Sequence, residues 1–262
     1  MPSRFKLILA YDGGPFEGFQ YQCGHRTVQG EIETALRSLG WRARHILSAA
    51  RTDSGVHAVG QVVAFDLEWA HSTGELARAL NAALPREIAC REVEIVRPDF
   101  HPRFDAAGRR YRYRIYQAPG RDPLLDRFAW QVWPGLDLER VQRVSRSLVG
   151  EHDFRAFGSA PRCGGNTFRR VGRAEWETDD KQLSFWMEAN AFLFRMVRMT
   201  VGSVVRLGQG RISEDEFLGL LREPEQGRGG PAAPARGLCL MGVDYLGAAR
   251  DHRAALRRDL GE

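Results

Sequence analysis

The sequence predicts an α+β fold in which one order of elements, β-α-β-β-α-β, is laid down twice along 262 residues. Three observations carry this. Short apolar runs alternate with period two, and longer segments between them place apolar residues at helical spacing. Gly, Pro and Asp fall at the ends of those runs rather than inside them. The order found in residues 1–105 then returns in residues 106–262 with different residues. Each unit is a ferredoxin-like arrangement, two helices on one face of an antiparallel sheet. Two such units can share one mostly antiparallel sheet, which hides an exposed edge and leaves a central cleft between the halves.

In the first half, residues 5–11 read as a strand that ends at Asp12, Gly13, Gly14 and Pro15. A helix follows, because Val28, Ile32, Ala35, Leu36 and Leu39 share one face, Thr27 suits its N-cap and Gly40 its stop. Runs at 45–50 and 61–66 have strand character. Ser72 or Thr73 then caps a helix carrying Leu76, Leu80 and Leu84, Pro85 ends it, and 88–96 is a further strand. The boundary between halves falls near 104–108.

In the second half, 109–117 alternates as a strand and 136–149 fits a helix with Leu138, Val141, Val144 and Leu148 inward. Residues 169–177 and 183–189 form a hairpin across Asp179 and Asp180. Residues 192–207 read as a mostly apolar, buried helix, Ser213 starts a short helix with acidic residues in its first turn, and 238–245 is the last strand. The Pro- and Gly-rich segment 223–237 is expected to be a mobile surface loop, and the arginine-bearing tail after residue 248 to be helical or frayed.

The net charge is +5, and nearly all the cation is arginine, since Lys6 and Lys181 are the only lysines. Arginine forks onto phosphates and stacks on bases, which suits an RNA partner; a GC-rich genome or a hot habitat produces the same bias. Cys23, Cys90, Cys163 and Cys239 stand far apart, without the spacing of a zinc site or a disulfide framework, and read as separate reduced thiols. The first residues lead into a strand without the apolar core of a signal peptide, and no run is long enough to cross a bilayer, so the expected location is cytoplasmic.

The segment Arg51-Thr52-Asp53-Ser54-Gly55-Val56-His57 sets a carboxylate two residues from a guanidinium, in a Gly-containing loop between two strand-like runs. Small and polar neighbours leave Asp53 accessible, and Arg51 is expected to hold it ionised by charge pairing, which makes it a candidate nucleophile. Turn capping by Asp53 is the plainer alternative. Alternation along Arg109-Arg110-Tyr111-Arg112-Tyr113-Arg114 puts both tyrosines on one face and Arg110, Arg112 and Arg114 on the other. Tyr113 reads as core, and Tyr111, nearer the strand start, is placed to stack on a base. Arg195 and Arg198 stand three apart on the apolar helix; a buried cation needs a partner, and Arg198 can reach Asp53 across the cleft. Asp53, Ser54 and His57 are too close in one loop for a Ser-His-Asp triad, whose members come from separate segments. No Gly-rich phosphate loop is present, because Gly13-Gly14-Pro15 runs into an aromatic stretch and not into a helix.

The Asp53 loop, the Arg109–Tyr113 strand and the run from Asn190 to Arg198 resemble, in order, the three signature segments of the tRNA pseudouridine synthase A family. The resemblance extends over almost the whole chain, through Tyr11-Asp12-Gly13 with Phe19-Gln20, Asp99-Phe100-His101-Pro102-Arg103-Phe104, Gly150-Glu151-His152-Asp153-Phe154 and Gly237-Leu238. Ser54 stands where many relatives have Ala, and Leu193-Phe194-Arg195 replaces a more polar run; the loop 160–165 is a variable segment. The resemblance implies isomerisation of uridine to pseudouridine at positions 38 to 40 of the tRNA anticodon stem-loop, by a homodimer and without a cofactor. It implies Asp53 as nucleophile, at C6 or at C1′, Tyr111 stacked on the flipped uracil and able to take the C5 proton, and Arg51 and Arg198 paired with Asp53 and holding the space left by the base. The alternatives are a non-catalytic RNA-binding protein of paired ferredoxin-like units and a small hydrolase built on the Asp53 to His57 loop.

Overall fold

In the computed structural model, which describes residues 2–162, 164–180 and 182–245, the first half runs β1 (Ser3–Tyr11), α1 (Val28–Ser38), β2 (Leu47–Ser48), β3 (His57–Leu67), α2 (Thr73–Ala83) and β4 (Ile88–Val96). The second runs β5 (Ala106–Gln117), α3 (Pro123–Asp126), β6 (Trp130–Val132), α4 (Leu138–Arg146), β7 (Gly150–Asp153), β8 (Phe168–Asp179), β9 (Gln182–Ala189), α5 (Met196–Gly208), α6 (Glu214–Arg222) and β10 (Leu238–Tyr245). The thiol expected at Cys163 and the arginine-bearing tail lie outside the described residues.

Capping sets the helix starts. Thr27 accepts the Gly30 N–H ahead of α1, and Ser72 and Ser213 form capping boxes with Glu75 and Glu216 ahead of α2 and α6. Two groups of strands repeat one order, β4-β1-β3-β2 and β10-β5-β9-β8, with β7 beyond β8 and β6 on the flank of β5. They join where β10 lies parallel to β3, His57 opposite Cys239 and Ala58 opposite Leu240. The remaining pairs of the main path are antiparallel.

One face of this sheet is buried beneath the helices. Phe5, Leu7, Leu9 and Tyr11 of β1 belong to the same core as Ile32 and Leu36 of α1 and Leu76 and Leu80 of α2. In the second half, Tyr113 and Ile115 share that core with Phe185, Val144, Val201 and Leu207. Each fully buried side chain of this size contributes about 1.5–3 kcal/mol, and a slip of one residue would turn a whole strand inside out. The core therefore sets which side chains of β5 face the helices and which face away.

The structure departs from the sequence expectation in four places. The strand expected over 45–50 is reduced to two residues: the Gln61 side chain accepts the Ala50 N–H and donates to the Ala50 carbonyl, so the ladder is replaced as the chain turns into the Asp53 loop. The helix expected from residue 192 begins at Met196, because Phe194 pairs through its backbone with Ser159 and Arg195 takes a left-handed conformation, φ 62°. Arg195 is exposed, over the Phe194 ring, and is not a helical neighbour of Arg198. The helix expected over 136–149 is α4, capped by Asp137, and the chain beyond it becomes the edge strand β7. Finally, part of 223–237 is packed rather than a surface loop: the Gly229 N–H donates to Ala156 O, and the Ala233 N–H to Arg198 O. Small residues permit this approach, since a Cβ on Gly202 would meet Pro231 O at 2.1 Å.

Candidate active site

Asp53 sits in a loop whose backbone is fastened on several sides. The Phe16 carbonyl accepts from the Gly55 N–H and the Ser54 hydroxyl, both at 3.3 Å, and the Phe19 N–H donates to Thr52 O at 3.0 Å. Gly55 supplies the left-handed step of the turn, φ 77°, while the Val56 N–H closes it onto Asp53 O. Beneath the loop, the Tyr11 and Thr52 hydroxyls are 2.8 Å apart, and Gln61 reaches Tyr11 while bracketing Ala50. Every neighbour of Asp53 is thus tied down. Its carboxylate remains 17% exposed.

The group that meets the carboxylate is Arg198, in the first turn of α5. Its Nη1 donates to Asp53 Oδ2 at 2.8 Å and its Nε to the Ala233 carbonyl at 2.8 Å, so the guanidinium plane is held at two points. Arg51, expected to pair with Asp53, does not: it is exposed and makes no ion pair with it. Anchorage of Thr52 to Tyr11 and Phe19 directs Asp53 to α5, and Arg51 is left on the solvent side.

Tyr111 completes the cluster. It is 7% exposed, its ring meets Phe192 edge-on at 4.9 Å, and its hydroxyl has no hydrogen-bond partner among the described residues. Tyr113, two residues on, is fully buried and donates to Pro234 O at 2.7 Å, as expected for core. Burial pushes the Tyr111 hydroxyl well above the usual phenol range, and the Asp53 charge acts in the same direction. The free protein therefore carries Tyr111 protonated at neutral pH.

Sequence reasoning missed Arg109. It stands on the tyrosine side of β5, buried, and donates to the Ala49, Arg103 and Asn190 carbonyls, which ties the approach to the Asp53 loop to the approach to α5. Alternation already placed residue 109 on the face of 111 and 113. Ala233 and Pro234 carried no signal, because they act through backbone carbonyls; Phe192 stood within the Asn190 to Arg198 run, but nothing there told of its edge-on contact with Tyr111. The hydrolase reading loses its geometry. Ser54 donates to Phe16 O, and His57 lies on the opposite side of the sheet, where its Nδ1 accepts the Gly13 N–H.

The family model described as tRNA pseudouridine synthase matches residues 7–105 and 144–246. The chain belongs to the tRNA pseudouridine synthase A family. Its relatives named tRNA pseudouridine synthase A include one from Geobacillus kaustophilus, 41% identical over 94% of this chain and 95% of the relative. Another, from Chloroflexus aurantiacus, is 41% identical over 91% of this chain and 87% of the relative. A third, from Neisseria gonorrhoeae, is 39% identical over 94% and 93%. The three segments that resemble the synthase family are those whose side chains converge here: the Asp53 loop, the Tyr111 strand and the start of α5 with Arg198.

Proposed function

We propose that the protein isomerises uridine to pseudouridine in tRNA, at positions 38, 39 and 40 of the anticodon stem-loop, with Asp53 as nucleophile and no cofactor. The observation that carries this reading is an oriented carboxylate held by one fixed arginine beside a buried tyrosine whose hydroxyl is free. The reaction breaks the C1′–N1 bond, turns the uracil, forms C1′–C5 and moves the C5 proton away, with N1 reprotonated. Bonds made and broken balance without an external electron acceptor.

Asp53 lies on the first half, 1–105, and Tyr111 and Arg198 on the second, 106–262, so a flipped base enters between the two. Arg198 fixes the carboxylate for attack at C6 or C1′. Once Asp53 forms its covalent bond its negative charge is gone, and one of the influences that keep Tyr111 protonated goes with it. Tyr111 gives its hydroxyl proton to N1 and, as the phenolate so formed, takes the C5 proton, so that it ends as it began while its ring stacks on the base. Arg51, exposed at the mouth of the loop, contacts the RNA rather than Asp53. The enzyme is a cytoplasmic homodimer in this reading. Among the described residues no helix is long and apolar enough to cross a membrane.

The test is release of tritium from tRNA carrying the label at uracil C5, because that hydrogen is replaced only when C5 becomes the glycosidic carbon. A protein that binds tRNA with no tritium release would be the non-catalytic RNA binder instead.

A further inference from the structure

The face of the sheet turned away from the helices carries a cavity of about 610 Å³, back to back with the Asp53 loop. Strand alternation puts Arg112 and Arg114 of β5 on this face, opposite Tyr111 and Tyr113, and the register sets Cys239 beside Arg112 and His57 beside Cys239. Arg86 and Arg127 complete its cations. Two carboxylates line it, Asp12 and Glu87. Both have partners: Asp12 accepts from Arg127 at 2.6 Å and from the Gly14 N–H, and Glu87 pairs with Arg26 at 3.5 Å.

Arg112 and Arg114 have none. Arg112 lies over the Trp186 ring at 5.5 Å, and its Nε is buried without a hydrogen-bond partner. Arg114 lies over Phe128 at 5.9 Å and makes no ion pair among the described residues. Burial lowers the pKa of Arg114, and the neighbouring Arg112 charge lowers it further. Two adjacent, partly buried guanidinium groups with no carboxylate are unfavourable unless an anion joins them. Ring faces hold both side chains in place, so their N–H groups are pre-set for an acceptor that the protein does not itself provide. Phe128 and the His57 ring, 5.0 Å apart, form an aromatic wall with room beside the anion for more than a bare ion.

We infer that this cavity is a second binding site, for a phosphate group carried by a nucleotide, on the face of the sheet opposite Asp53, with Arg112 and Arg114 as its ligands. A phosphate there would give the guanidinium N–H groups of Arg112 and Arg114, the buried Arg112 Nε among them, the acceptor they lack. The phosphate comes either from a free mononucleotide or from the backbone of an RNA strand that wraps round the sheet edge, and the two sources separate in one set of measurements.

The full chain is titrated with AMP and with inorganic phosphate by calorimetry, and its tRNA affinity is measured by filter binding across a salt series, for the parent, Arg112→Gln, Arg114→Gln and Arg114→Lys. Saturable AMP binding that falls at least tenfold in both Gln variants, and is partly restored in Arg114→Lys, supports the site with a free nucleotide as source. Absent AMP binding, with tRNA affinity down about tenfold and a salt slope smaller by about one in the Gln variants, supports it with RNA as source. No AMP or phosphate binding to the parent, together with unchanged tRNA affinity and slope in Gln variants whose melting temperatures match the parent, overturns it. Should a Gln variant unfold, Arg114→Lys and the parent titration decide. These readouts concern binding alone, so isomerase activity can fail while the site stands, and the reverse.

Discussion

Removing Arg198 should reveal how much the Asp53 loop depends on α5. Arg198→Met removes two hydrogen bonds, one charge-assisted to Asp53 and one from the same cation to Ala233 O. Hydrogen bonds to charged groups contribute about 1.5–3 kcal/mol each, and both side chains here are about five-sixths buried, 15% and 17% exposed, so little is lost to solvent screening. The single substitution should therefore destabilise the protein by about 3–6 kcal/mol. In an Asp53→Asn background the carboxylate is already gone, and the same change should cost about 1.5–3 kcal/mol. The difference, about 1.5–3 kcal/mol, is the coupling between the two side chains, read from urea midpoints of the parent, both single variants and the double variant. Arg198→Lys keeps the charge and loses the two-point hold, so tritium release should fall about 100-fold with folding preserved. Coupling below about 0.5 kcal/mol, or a Lys variant within threefold of the parent, would refute the claim that Arg198 positions Asp53.

Asp53→Asn should abolish tritium release while tRNA binding, measured by filter retention, stays within a few-fold of the parent; normal turnover would remove Asp53 from the chemistry. Tyr111→Phe keeps the ring against Phe192 and should still bind tRNA, with product formation down about 100-fold as expected for loss of a proton-transfer group; activity close to the parent would leave Tyr111 only its stacking role. Because the Tyr111 hydroxyl is protonated across neutral pH, no loss of activity between pH 6 and 8 should trace to it: a kinetic pKa in that range that vanishes in Tyr111→Phe would contradict its placement. Gly13→Ala puts a Cβ about 2.0 Å from Val56 O, a backbone atom three residues past Asp53, and should destabilise the protein by more than about 2 kcal/mol in chemical denaturation. Binding of tRNA should weaken steeply with salt, by several units in log affinity per unit of log salt; a flat curve would make the arginines a solvated surface.

What the sequence made legible was local or doubly signalled. Thr27, Ser72 and Ser213 act on N–H groups three residues away, so their capping role could be read from spacing alone. Alternation gave the two faces of β5, and a cation in an apolar helix gave Arg198 a need that Asp53 meets. What stayed hidden depends on partners far along the chain. The start of α5 is delayed by Ser159, thirty-odd residues upstream, and no local preference at 192–195 announces that. Part of 223–237 reads as loop composition because the glycines that make turns flexible also let a backbone press on Ala156 and Gly202. Arg51 misled through proximity: two residues of separation in an irregular segment do not fix direction, whereas Thr52's tertiary anchors do.

The parallel contact between β3 and β10 has a consequence for biosynthesis. Strand β10 is last of the ten in chain order, yet it lies at the centre of the sheet, and its register with β5 and β3 is what sets the two halves side by side. During translation the Asp53 loop emerges early, and Tyr111 and Arg198 follow, but the strand that aligns them appears only after residue 238. A chain that stops short of residue 238 therefore lacks the one strand that pairs with both β3, which follows the Asp53 loop, and β5, which carries Tyr111.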